Sequence, residues 1–209
     1  MENRYDTAVL ISGRGSNLGA ILDAIANGAL RARVAVVISN RAGAAGLEIA
    51  RAAGVPTLVL PRRGYPSRDA YDQALLDALR QYRVRLVCFA GFMHLVSPAL
   101  CDAFPNAILN IHPSLLPAFP GLDAQRQALE HGVKISGATV HFVTPELDAG
   151  PIVMQASVPV RDDDSVESLS ARILVEEHRI YPEAIARVLE GGWTVMGRRV
   201  QFAPKTPAS

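Results

Sequence analysis

The first half of the chain alternates between short, almost continuous hydrophobic runs and longer stretches with helical periodicity. Residues 7–12 (TAVLIS) predict a buried strand, 13–17 a glycine turn and 18–26 a helix. Residues 33–40 (RVAVVISN) predict a second strand. A second helix over 44–53 is closed by Gly54, with Pro56 just beyond, and a third strand follows at 57–60. Across 67–82, Tyr71, Leu75, Leu76 and Leu79 fall on one side of an amphipathic helix. Residues 85–90 (RLVCFA) and 107–111 (AILNI) predict the fourth and fifth strands. Strands that are apolar throughout and separated by helices imply a mostly parallel sheet covered on both faces. The expected class is a three-layer, doubly wound α/β fold.

The second half changes style. Residues 112–121 contain Pro113, Pro117 and Pro120 and have no helical period, so they predict an ordered loop. A short helix is expected over 123–130. Residues 137–143 (GATVHFV) and 152–160 alternate strongly, which predicts antiparallel additions to the sheet around a turn at 144–151. A long helix over 163–188 should be capped near Asp164 or Ser165 and bend at Tyr181-Pro182. A terminal hairpin is expected over 193–202 and a frayed tail over 203–209. The whole, 1–209, reads as a single domain, with a nucleotide-binding-like half over about 6–111 and a second half over 112–202.

Composition narrows the function classes. A net charge of +1 provides no field to recruit nucleic acid or an anionic membrane, so an anionic ligand must be held by local chemistry. No run of about twenty apolar residues is present to span a bilayer. Residues 8–12 are too short for a signal-peptide core, which makes the cytoplasm the expected location. Cys88 and Cys101 read as reduced thiols rather than a disulfide framework. The five histidines form no metal-ligand spacing, so no catalytic metal is expected.

Three places carry candidate chemistry. Gly13-Arg14-Gly15-Ser16-Asn17 sits where the first strand meets the first helix. Its spacing is neither the dinucleotide nor the Walker pattern, and as a pattern it fits a capped turn as well as a ligand site. Its position after the first strand favours a monophosphate held by free helix amides. Asn110 and His112 close the fifth strand two residues apart, so both side chains share a face. An amide that stabilises a developing oxyanion and an imidazole that exchanges a proton suit acyl transfer to an amine. Asp148 lies in a turn-rich loop (ELDAGP), where a carboxylate either caps its own turn or orients His112. His131 is expected at a helix C-cap, and His141 is either core or surface. His94 and His178 receive no role from pattern alone.

The segments LISGRGSNL, AGFMHLVSP, ILNIHPSLLPAFPG, TVHFVTPELDAGPI and EEHRIYP together resemble the folate-dependent formyl transferase and hydrolase superfamily. Within it, GRGSN and EEHRIYP resemble the glycinamide ribonucleotide formyltransferases of purine synthesis. The resemblance runs from about Val9 to Tyr181. The length leaves room neither for the regulatory domain of formyltetrahydrofolate deformylases nor for the extra barrel of methionyl-tRNA formyltransferases.

By that resemblance Asn110, His112 and Asp148 are the catalytic trio. Gly15, Ser16, Asn17 and Glu177 hold phosphoribosylglycinamide. The 10-formyltetrahydrofolate co-substrate lies across Arg68, Met93, His94, Leu95, Val96, Asn110, Thr144, Pro145, Glu146, Leu147 and Asp148, without a metal. Small-molecule substrates are the expected partners, with neither nucleic acid nor membrane, and a homodimer stays open. A hydrolase on the same scaffold and a non-catalytic nucleotide-binding domain are the alternatives. One departure stands out: the family's H-x-H before the R-x-A-L helix is here Asp123-Ala124-Gln125, which places a second carboxylate near the expected trio.

Overall fold

Residues 8–11 and 34–39 are buried without a break, a pattern that only a strand covered on both faces sustains. The computed structural model describes residues 5–203. In chain order the elements are β1 (Tyr5–Ile11), α1 (Ser16–Ala26), β2 (Ala32–Ser39), α2 (Gly46–Ala52), β3 (Thr57–Val59), a 3-10 turn (Arg62–Gly64), α3 (Arg68–Gln81), β4 (Leu86–Phe89), α4 (Pro98–Ala103), β5 (Ile108–His112), α5 (Ala124–Glu130), β6 (Ile135–Phe142), β7 (Ile152–Pro159), α6 (Val166–Glu190), β8 (Trp193–Met196) and β9 (Arg199–Phe202).

All nine strands join one sheet in the order β3-β2-β1-β4-β5-β6-β7-β9-β8. The first five are parallel, β6 runs antiparallel to both β5 and β7, and β7 pairs with β9 in parallel. Because β1 is flanked by β2 and β4, the strand order reverses there, and the crevice beyond the carboxyl ends of β1 and β4 is where such sheets hold ligands. Successive β1 residues feed opposite cores. Val9 and Ile11 meet Leu18, Ile21, Ile173 and Tyr181, whereas Ala8 and Leu10 meet Tyr71, Leu75 and Leu79. Helices α1 and α6 therefore cover one face and α3 the other, giving the three layers.

The structure adjusts several sequence expectations. Strand β5 extends to His112, so the loop begins one residue later than its prolines suggest. Helix α6 starts at Val166, with Ser165 rather than Asp164 as its cap, and continues through Pro182 to Glu190. The helix runs through Pro182 as expected, with buried Ile180, Tyr181, Ala184 and Ile185 holding both sides of the proline against the sheet. The terminal hairpin forms as expected and adds β9 beside β7. Residues 204–209 of the expected tail lie outside the described residues.

Candidate active site

Asn110 and His112 point to the same side of β5, and the antiparallel neighbour completes the cluster. The β5–β6 register pairs Asn110 with His141 and His112 with Thr139, and directly opposed residues share a face. His141 Nδ1 donates to the Phe142 carbonyl at 2.9 Å, so its Nε2 is free to accept from Asn110 Nδ2 at 3.1 Å. An amide nitrogen carries two hydrogens, which leaves one N–H of Asn110 for a ligand.

Asp148 reaches the same place from the β6–β7 loop. Its Oδ2 accepts the Gly121 N–H at 2.8 Å and lies 3.4 Å from His112 Nδ1, and its Oδ1 lies 3.6 Å from His141 Nε2. Its backbone is left-handed (φ 49°), a conformation Asp tolerates better than most residues. Gly150 makes this turn possible, because a Cβ there would sit 1.8 Å from the Phe142 carbonyl oxygen. His112 is held from its other side, with Nε2 donating to the Phe119 carbonyl at 2.9 Å. Asn110, His112 and Asp148 therefore converge.

The electrostatics are balanced on His112. Burial pushes its pKa down, opposed by the Phe119 carbonyl and Asp148, and the neighbouring His141 adds to the decrease. Burial would raise Asp148, but the contacts from His141, the Gly121 amide and His112 outweigh it and hold the carboxyl below its usual range. An ionised carboxylate thus faces a neutral imidazole that becomes strongly paired once it takes a second proton. Asp123 is exposed, caps α5 through its backbone in the left-handed region, and has no part in the shift of Asp148.

At the start of α1 the N-cap is Gly15 itself (φ 77°), and a Cβ there would lie 2.5 Å from Gly46 Cα. Neither Ser16 nor Asn17 caps the helix with its side chain. The Asn17 amide instead donates to Glu177 Oε2 at 2.7 Å, and Asn17 Oδ1 is buried without a partner. Glu177 is itself buried, on α6, and burial raises its pKa against the opposing effects of Asn17 and Arg14. Beside this pair the first-turn backbone amides of α1 have no partner within the helix.

The residues expected to hold the folate split into two kinds. Met93, Leu95 and Leu147 expose large apolar side chains (60%, 47% and 58%), while Val96 is buried and Thr144 and Pro145 are half-buried. The His94 side chain is buried, with Nε2 2.6 Å from Asp72 Oδ1, so its ring faces away from solvent. Glu146 is exposed. Arg68 sits exposed in the first turn of α3, with Asp69 at 3.9 Å, and among the described residues no hydrogen bond or ion pair joins it to the cluster around Asn110.

Sequence reading missed the place of His141 in the cluster and the Asp72–His94 pair. Alternation puts His141 on one face of β6, and the β5–β6 register is what places it opposite Asn110. Both thiols are inert by setting: burial raises Cys88 to about 12 and Cys101 to about 11. Among the described residues, no group of three or more His, Cys, Asp or Glu is arranged to hold a metal ion, and no helix is long and apolar enough to cross a membrane.

A model of the formyl transferase family matches residues 6–185. The chain is 48% identical over 183 residues to the phosphoribosylglycinamide formyltransferase of Escherichia coli (strain K12), covering 88% of this chain and 86% of that protein. It is 45% identical over 97% of its own length to the trifunctional purine biosynthetic protein adenosine-3 of Drosophila pseudoobscura pseudoobscura, of which it spans 15%. Among solved structures, glycinamide ribonucleotide transformylase 1 from Symbiobacterium toebii matches with a TM-score of 0.95 and 59% identity, over 98% of this chain and 96% of that one.

Proposed function

The chain belongs to the formyl transferase family, in its glycinamide ribonucleotide transformylase branch, and from that premise we infer that it transfers the formyl group of 10-formyltetrahydrofolate to the amine of phosphoribosylglycinamide. It is an enzyme of purine synthesis, with small molecules as its substrates. The observation that carries the reading is the convergence of Asn110, His112 and Asp148 at the carboxyl end of β5, on the sheet edge where β1 leads into the Gly15 turn.

The two halves of the chain would then act as one unit. The first half supplies the phosphate end, through the first-turn amides of α1 at Gly15, Ser16 and Asn17. Glu177 and the unpartnered Asn17 Oδ1 are acceptors for N–H and O–H groups of the ribosyl-glycinamide. Both halves contribute to the donor pocket and the chemistry. Met93, Leu95 and Leu147 have the exposed apolar surface that a pteridine ring would cover, and backbone groups from Met93 to Val96 and Thr144 to Asp148 would read its edge. Arg68 would meet the outer end of the folate.

In the reaction the neutral acceptor amine attacks the formyl carbon. The free N–H of Asn110 points at the oxygen that gains charge, and His112 shares its Nε2 hydrogen between that oxygen and the Phe119 carbonyl. Asp148 favours the imidazolium form of His112 as the charge develops. A proton passes from the attacking amine to the leaving folate nitrogen through water, and Asp148 is the nearby acceptor that assists it. Transfer is direct, with no acyl-enzyme, in keeping with two thiols held far from ionisation. An initial-rate assay with both substrates tests this reading. Product should require both phosphoribosylglycinamide and 10-formyltetrahydrofolate, and an equal rate with an amino-sugar nucleotide as acceptor would overturn the assignment of substrate.

A further inference from the structure

One buried carboxylate has no part in the chemistry above. Asp72 projects inward from α3 and is 2% exposed. On that face its neighbours in the helix are Tyr71, Leu75, Leu76 and Leu79, which form an apolar core that needs no charge. Both oxygens of Asp72 are spent on a single loop. Oδ1 lies 2.6 Å from His94 Nε2, and Oδ2 accepts the backbone N–H of Ser97. Burial would raise this carboxyl, but the bonds from His94 and Ser97 outweigh it and hold it ionised below the usual range.

The same loop, between β4 and α4, is fixed from its other side. The Met93 N–H donates to Ser12 Oγ at 2.8 Å, and the Ser12 N–H donates to the Gly91 carbonyl at 3.1 Å. The His94 ring is wedged edge-on against Tyr71 at 4.8 Å and Phe92 at 5.8 Å. With His94 and Ser97 drawn inward, Met93 and Leu95 between and beside them are turned out to solvent. An apolar residue at position 72 would fill the α3 core equally well, whereas only a carboxylate draws an imidazole and an amide of the loop to one point.

We propose that Asp72 is a positioning residue for the formyl donor: acting through His94 and Ser97, it fixes the shape of the loop on which the folate lies, and so sets donor affinity without taking part in the chemistry. The proposal rests on the transferase reading above. It places the donor half of the site under the control of a side chain that no substrate touches.

Steady-state kinetics with Asp72→Asn, His94→Ala and His94→Gln test it. Asp72→Asn keeps the size of the side chain but loses its charge, and a charged hydrogen bond is worth about a tenfold change in affinity. Donor KM should therefore rise about tenfold, while the KM for phosphoribosylglycinamide stays within about twofold. His94→Ala should raise donor KM in the same way, and His94→Gln, which keeps an N–H aimed at Asp72, should recover most of the loss. A purely structural role would lower the melting temperature and leave the ratio of the two KM values unchanged, which overturns the proposal. If Asp72→Asn does not fold, the His94 variants decide, and equal donor KM in His94→Ala and His94→Gln overturns it. Absence of transfer by the wild type would instead defeat the transferase reading. Calorimetric titration of 10-formyltetrahydrofolate into wild type and variants would then carry the test, and equal affinities would overturn the positioning role.

Discussion

At the scale of single residues, the account depends on which hydrogen is free to meet a developing charge. Asn110 has one N–H engaged by His141 and one to spare, and His112 holds a shared hydrogen against Phe119. Loss of one well-placed oxyanion donor costs roughly a hundredfold or more in turnover. Asn110→Ala and His112→Ala should each fall by that factor, with circular dichroism unchanged, and near-normal kcat in either variant would remove that residue from the mechanism. Glu177 makes a prediction about stability. Its folded pKa is raised by burial, so its ionised form is less favourable in the folded protein than in the unfolded chain. The cost is absent below the ordinary carboxylate range and grows as pH rises through the raised value. Glu177→Gln keeps an acceptor for Asn17 and should melt higher than wild type at neutral pH, with the gap closing as pH falls to about 4. The same variant should bind phosphoribosylglycinamide more weakly. A constant gap across pH would show that the carboxylate carries no burial cost.

At the scale of elements, two glycines let chain segments meet where side chains would collide. Gly15 is left-handed and faces Gly46, so Gly15→Ala combines an unfavourable backbone with a clash against backbone atoms. It should cost about 2 kcal/mol or more in stability, measured by denaturant unfolding, and raise the KM for phosphoribosylglycinamide. Gly150→Ala should displace the Asp148 turn from β6 and lower kcat more than either KM, because the contact it breaks supports the carboxylate rather than a binding surface. Elements of this kind show how far sequence could reach. Apolar runs such as 7–12 and 33–40 reported their own burial, so the parallel half was readable from period alone. The pairing of Asn110 with His141 is long-range, and only the β5–β6 register reveals it. The helix through Pro182 was readable from its apolar period, and packing on the sheet supports both sides of the proline. Asp72 was hidden among the leucines of an amphipathic pattern, where a single acid reads as helix surface.

At the scale of the whole molecule, one sheet edge gathers groups that are distant in the chain. β1 brings the Gly15 turn, β4 the Met93 loop, β5 the Asn-His pair, and the β6–β7 loop Asp148, while α6 spans beneath with Glu177 and Tyr181. The hairpin of β8 and β9 lies at the far end of the sheet, where Trp193 packs on Phe142 at 5.1 Å and donates to the Val188 carbonyl. Trp193→Ala should therefore lower stability by about 2 kcal/mol, since the ring is only partly buried, and leave both KM values unchanged. A folate-dependent site built this way can give up its formyl group to an amine or to water, and the choice between them decides whether the chain is a transferase or a hydrolase. The direct measurement follows an isotope-labelled formyl group on 10-formyltetrahydrofolate through a single turnover, with and without phosphoribosylglycinamide. The account predicts that the label passes to the acceptor and that little formate appears when the acceptor is withheld. Formate released equally fast in both cases would contradict it.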